Sequence, residues 1–127
     1  MRITLNWLHK HMACEKEVIR FQAEWPEGAE LTEANLIKAA DMMFDLDWFA
    51  KVYLPAPLRT EYKRQETLLW AEYYRQTASL WADYHRQDDP LWAEYKRRAA
   101  SLWADYHRQI ARVLWLIIRA QLVTGEI

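Results

Sequence analysis

Apolar residues in the second half of this chain recur every eleven positions. Leu58, Leu69, Leu80, Leu91 and Leu102 start successive units, and the last four read Leu-Trp-Ala-Glu/Asp-Tyr-x-Arg-Gln/Arg. Eleven residues are close to three helical turns, at about 3.67 residues per turn, so each unit position keeps its angle from copy to copy. Positions one, two and five then fall within roughly a third of the circumference. They form a stripe of Leu69, Trp70, Tyr73; Leu80, Trp81, Tyr84; Leu91, Trp92, Tyr95; Leu102, Trp103, Tyr106. Ala71, Ala82, Ala93 and Ala104 fall on another side, beside Arg75, Arg86, Arg97 and Arg108. Each acid precedes an Arg by three residues, as in Glu72–Arg75 and Asp83–Arg86. Such pairs add about 0.2–0.5 kcal/mol each and support a helix without defining a site.

The repeat is also a duplication of twenty-two residues: 69–90 and 91–112 agree at sixteen positions. The copies differ most at their ends, Asp88-Asp89-Pro90 against Ile110-Ala111-Arg112. Asp before Pro is a helix-start signal, and Pro inside a helix costs about 3 kcal/mol. The pattern therefore predicts two long helices, about 57–87 and 90–122, folded as an antiparallel hairpin. The alternative is one kinked rod with its phase preserved through Pro90. That rod would expose the whole stripe and would have to oligomerise.

The first half alternates differently. Thr4 or Asn6 can cap a short helix carrying Trp7, Leu8 and Met12. A second, about Cys14 to Trp25, opens with Glu15 and Glu17 at its positive end and carries Val18, Ile19 and Phe21. Pro26-Glu27-Gly28 ends it. Thr32 caps a third, with Leu36, Ile37, Ala40 and Met43 at helical spacing. Asp45 or Asp47 starts a fourth, with Leu46, Trp48, Phe49, Val52 and Tyr53. Leu54-Pro55-Ala56-Pro57 closes this segment and stiffens the junction. The expected fold is all-α: a small helical head (1–56) plus a long, repeat-built helical arm (57–127).

Composition agrees. The chain has 127 residues, enough for one compact domain or a small head with an arm. An apolar fraction of 52% makes a disordered chain implausible. Two Gly and four Pro punctuate too sparsely for an all-β fold. Net charge is −1, so no global field points to nucleic acid or membrane. Residues 1–50 carry five Lys/Arg against nine Asp/Glu, and residues 51–127 carry twelve against nine. The acidic head and mildly basic arm can attract each other or a partner. Val113–Ile118 is too short to span a bilayer, and the N-terminus has no long apolar run resembling a signal peptide. Cys14, the only cysteine, suits a reducing cytosol. A cytoplasmic location in a bacterial host is the expectation, given the resemblance described next.

The run Asn6-Trp7-Leu8-His9-Lys10-His11-Met12-Ala13-Cys14, with Phe21, Pro26-Glu27-Gly28-Ala29-Glu30, Thr32 and Asn35-Leu36, resembles the N-terminal part of a family of small phage and prophage proteins. Those also carry an arm of Ala-x-Ala-Glu-Tyr-type repeats, similar to Leu91-Trp92-Ala93-Glu94-Tyr95. The resemblance covers most of the chain and implies a phage or mobile-element origin with no defined activity. This chain departs from the pattern by placing Trp at many repeat positions.

Candidate chemistry is thin. His11 and Cys14 lie three apart with His9 nearby, but two or three ligands without matching ones elsewhere make a weak metal signal; packing at a helix junction is the preferred reading. His85 and His107 hold equivalent repeat positions, about 33 Å apart on one continuous helix, and share no site in a hairpin either. Glu72, Asp83, Glu94 and Asp105 read as a solvated ion-pair ladder. No phosphate loop, nucleophile elbow or metalloprotease helix is present, so no enzyme activity, cofactor or metal is expected. Helices three and four could be read as a helix-turn-helix, but the second of them, the would-be recognition helix, offers only Lys51 against phosphate, with Asp45 and Asp47 at its start. Aromatics interleaved with Arg can stack on single strands, but here the two lie on different sides of the helix. This many Trp and Tyr exceed what a thin hairpin buries, and Trp, Tyr and Arg dominate interface energy. A partner-binding surface is therefore expected at Trp70, Tyr73, Trp81, Tyr84, Trp92, Tyr95, Trp103, Tyr106, Arg86 and Arg97. The partner would be a host protein or a second copy in a homodimer, with nucleic acid disfavoured and no membrane. The resemblance to phage and prophage proteins, and not the residues themselves, implies the sharpest form of this expectation: a phage-encoded inhibitor of a bacterial defence system, such as an anti-CRISPR.

Overall fold

The computed structural model describes the backbone of residues 2–85 and 90–124 and the side chains of residues 2–82 and 92–123. The fold is all-α, with six helices and one very small sheet among these residues. The helices are α1 (Leu5–Lys10), α2 (Glu15–Glu24), α3 (Glu33–Asp41), α4 (Leu46–Tyr53), α5 (Ala56–His85) and α6 (Pro90–Thr124).

Local chemistry explains most boundaries. The Thr4 hydroxyl accepts from the Trp7 amide at 3.1 Å, Thr32 from Asn35 at 3.1 Å, and the Asp45 carboxylate from Trp48 at 2.9 Å. Each satisfies a donor that the first helical turn leaves free. Asn6 and Asp47, the alternative caps, lie inside α1 and α4. Pro57 sits in the first turn of α5 and Pro90 opens α6, where a missing amide proton costs nothing. Helices α1 and α3 end alike. The Met12 amide donates to His9 and the Ala13 amide to Leu8; the Met43 amide donates to Ala40 and the Phe44 amide to Ala39. Met12 and Met43 hold φ of 59° and 62° to close these turns. A left-handed residue at this point is normal, although glycine is its usual form.

The sheet was not expected. β1 (Arg2–Ile3) pairs antiparallel with β2 (Ala29–Glu30), Arg2 opposite Glu30 and Ile3 opposite Ala29. Two-residue strands carry no alternation to read. Gly28 enters β2 with φ of 90°, and a Cβ there would come within 2.9 Å of the Ile3 carbonyl oxygen. Glycine is required at that point both for its conformation and for space.

Helices α5 and α6 lie side by side and antiparallel. Their ring contacts pair Trp70 with Tyr106, Tyr73 with Trp103, and Trp81 with Trp92, so one helix descends as the other rises. Helix α6 also packs along α3. One apolar cluster results, running from Ile3 in β1 to Ile118 in α6. It joins Leu8, Phe21, Leu36 and Phe49 of the short helices to Tyr62 of α5 and to Tyr106, Ile110, Leu114 and Ile118 of α6. Ala111 and Ala50 are fully covered.

The charge asymmetry has a structural counterpart. Arg108 of α6 donates to Asp41 at 2.7 Å, Lys63 of α5 to Asp47 at 2.8 Å, and Arg112 approaches Glu33 at 3.9 Å. These pairs are exposed, so each contributes at most about 1 kcal/mol. They fix the register of the arm against the head more than they stabilise it.

Candidate functional site

The five copies of the repeat meet different fates. Tyr62, in the first copy, is 1% exposed, and Tyr106, in the last, is buried with it. Both stand where α5 and α6 run beside the short helices. Tyr73 and Tyr95, at the same repeat position in middle copies, are half-buried. The Trp position shows the same trend. Trp103 is half-buried and packs against the core, whereas Trp70, Trp81 and Trp92 are 46%, 41% and 44% exposed.

The exposed rings are held in place by other rings. Trp81 meets Trp92 edge-on at 5.4 Å and Tyr95 at 5.2 Å, while Trp92 stacks on Tyr95 at 5.2 Å. Trp70 touches Tyr73 at 5.5 Å and Tyr106 at 5.6 Å. Tyr73 reaches Trp103 at 5.4 Å and Tyr106 at 5.2 Å. Offset and edge-to-face pairs of this kind add about 0.5–1.5 kcal/mol beyond the area they bury. The rings are thus pre-positioned while one side of several stays open to water.

Of the ten residues expected at a partner surface, Trp70, Trp81 and Trp92 are exposed; Tyr73, Tyr95 and Trp103 are half-buried; Tyr106 lies in the core. Arg97 is exposed and sits 3.9 Å from Glu94. The side chains of Tyr84 and Arg86 lie outside the described residues. Leu68 and Tyr74 are also exposed and were not anticipated. Their only signal is a doubled letter, Leu68-Leu69 and Tyr73-Tyr74, where Leu68 and Tyr74 fall off the stripe that Leu69 and Tyr73 occupy. Around the rings the ladder is as spaced in sequence: Arg75 pairs with Glu72 at 2.5 Å and holds its carboxyl below the ordinary range. Arg98 joins Arg97 at Glu94, at 3.5 Å. The Asp83–Arg86 pair lies outside the described side chains. Lys96 extends its ammonium 5.5 Å over the Trp92 ring, a cation–π contact.

His11 spends its Nδ1 on the Trp7 carbonyl at 2.9 Å and packs its ring 4.2 Å from the indole. Cys14 is exposed at the start of α2. Among the described residues, no three His, Cys, Asp or Glu side chains converge as metal ligands. No described helix is long and apolar enough to cross a membrane.

His107 differs from this surface chemistry. Its ring lies edge-on to Trp103 at 4.3 Å and 5.2 Å from Tyr106, and its Nε2 is buried without a hydrogen-bond partner among the described residues. Burial pushes its pKa below the ordinary 6.5, because an imidazolium there would lose its water. The unfolded chain then binds more protons than the folded one just below pH 6.5. Stability is therefore full above that value and falls as the pH drops through it. Denaturant midpoints one unit either side should differ in the wild-type chain. They should converge in His107→Leu, which keeps the packing and removes the titrating group.

A scan against protein-family models, a search of curated proteins and a search of solved structures each returned no match.

Proposed function

We propose that this chain acts by binding another protein through the aromatic face of α5 and α6, and that it is not an enzyme. The observation that carries the reading is the exposure of Trp70, Trp81 and Trp92 on one pair of packed helices. Large rings left open to water on a stable scaffold are the usual anchors of an interface, and Trp is the residue most enriched there. Their mutual stacking holds them in place in advance and lowers the entropy lost on association. The partner is a second copy of the chain or, on the resemblance to phage and prophage proteins, a bacterial host protein. In the latter case the activity is inhibition of a host defence system such as CRISPR.

The test replaces Trp81 and Trp92 with Ala together. Sedimentation of the purified chain reads self-association, and capture from a bacterial lysate reads a host partner. The double variant is expected to lose the complex that the wild type forms while keeping its helical circular dichroism. A variant that unfolds, or a wild type that remains monomeric and captures nothing, defeats the reading. One observation favours single-stranded nucleic acid instead: Lys96 over Trp92, next to the exposed Arg97. That reading requires salt-dependent binding of oligonucleotides, and a titration at low salt that shows none removes it.

A further inference from the structure

The head holds a partly open cavity of about 340 Å³ that the aromatic face does not use. Among the described residues none of α5 or α6 lines it; its wall comes from the two strands, from α1 to α4 and from the turns between them. Native cores rarely leave voids much larger than a water molecule, and this one is within the size range of small-molecule sites. An apolar cavity of less than half this volume, once engineered into a protein core, stays dry and binds benzene. The buried part of the wall is apolar, with Leu8, Val18, Phe21, Leu36 and Phe49. Water is therefore a poor occupant, since it needs two or more polar partners.

Arg20 stands beside the rim, its guanidinium 4.6 Å from the Phe44 ring and donating to the Met42 carbonyl, but the charged side chains that line the cavity itself are all acidic. Glu17, Glu30 and Asp45 line the cavity, and none of its lining residues is Lys, Arg or His. Glu30 is committed to Arg2, at 3.1 Å. Glu17 and Asp45 stand together: the Asp45 amide is 3.5 Å from Glu17 Oε2, while one Asp45 oxygen caps α4. Two carboxylates beside an apolar hole repel an acid and attract an ammonium.

From this cavity and its rim we infer that the head binds a small amphiphile: an aromatic or aliphatic body in the cavity, with a cationic amine at Glu17 and Asp45. Cationic character separates this ligand class from fatty acids, which the rim disfavours. The site is independent of the aromatic face, so either can fail without the other.

Three shape-matched probes test it on the full chain: phenylbutylamine, phenylbutanol and phenylbutanoic acid, followed by calorimetry and by methyl NMR. The amine is expected to bind at least tenfold more tightly than the acid, with the alcohol between them. Shifts should be confined to methyl groups that line the cavity, such as those of Ile3, Leu8, Val18, Leu31, Leu36 and Leu46. Ala39 also lines it, and Ala39→Leu is expected to fill the space and abolish binding while leaving the melting temperature equal or higher. Glu17→Gln with Asp45→Asn, which keeps a capping side chain, should retain binding of the alcohol and reduce the amine's advantage over the acid to near unity. Equal binding of amine and acid by the wild type overturns the inference. So do shifts centred on Leu80 and Ala93, the methyl-bearing neighbours of Trp81 and Trp92 in the chain, or no binding by any of the three.

Discussion

Leu114→Ala is expected to cost about 2–5 kcal/mol, the range for deleting a fully buried leucine side chain. Leu114 is fully buried and sits in the central cluster with Ile110, Ile117 and Ile118 of the same helix. The stability of a domain is only about 5–15 kcal/mol, so this one change removes a large part of it. The cost combines lost transfer energy with a cavity that the packed surroundings cannot close. A urea melt reads the effect as a lower midpoint with unchanged slope. Leu116→Ala is the internal control. Leu116 is on the same helix, two residues along, and is exposed, so its loss should cost less than about 1 kcal/mol. Equal costs at the two positions would mean that α6 does not present this face to the core.

That contrast marks where the sequence was informative. Helix starts were legible at Thr32 and Pro90, and as one of two candidates at Thr4 and Asp45, because a capping side chain or an opening proline acts only on the first turn. The strands at Arg2–Ile3 and Ala29–Glu30 were not, since a two-residue ladder is set by its partner and by the conformation of Gly28. The repeat was legible as helix, yet it hid its own asymmetry. Tyr62 and Tyr73 occupy the same place in the unit, and nothing within the unit says that one is buried and the other half-open. The difference comes from what lies across from each. Val113–Ile118 stood out as the most apolar stretch, flanked by Arg112 and Arg119. Its apolar character follows from packing: Leu114, Ile117 and Ile118 are in the core while both arginines are exposed. The excess of Trp over what two helices can cover was legible from counting alone. Which rings stay open was not, because exposure is decided by where the short helices stop.

Residues 1–56 expressed alone are expected not to fold. Of the nineteen buried core residues among those described, seven come from α5 and α6: Tyr62, Tyr106, Ile110, Ala111, Leu114, Ile117 and Ile118. Six of these are large and cover apolar residues of the head; without them that surface returns to water at about 25 cal/mol per Å², a large loss against a domain stability of only about 5–15 kcal/mol. Helix α3 would lose the helix it packs on. Chains of this length are marginal even with a complete core, and α1 to α4 are each too short to persist alone in water. The ion pairs from Arg108 and Lys63 to the acids of the head would go as well. Far-UV circular dichroism of the fragment should show a largely unfolded chain with no cooperative melt. Addition of residues 57–127 as a separate peptide should restore helix and melt together, because the missing surface is then supplied in trans. A fragment 1–56 that melts cooperatively by itself would show that the head closes its own core. The stripe from Tyr106 to Ile118 would then be a docking contact between two bodies and not the centre of one.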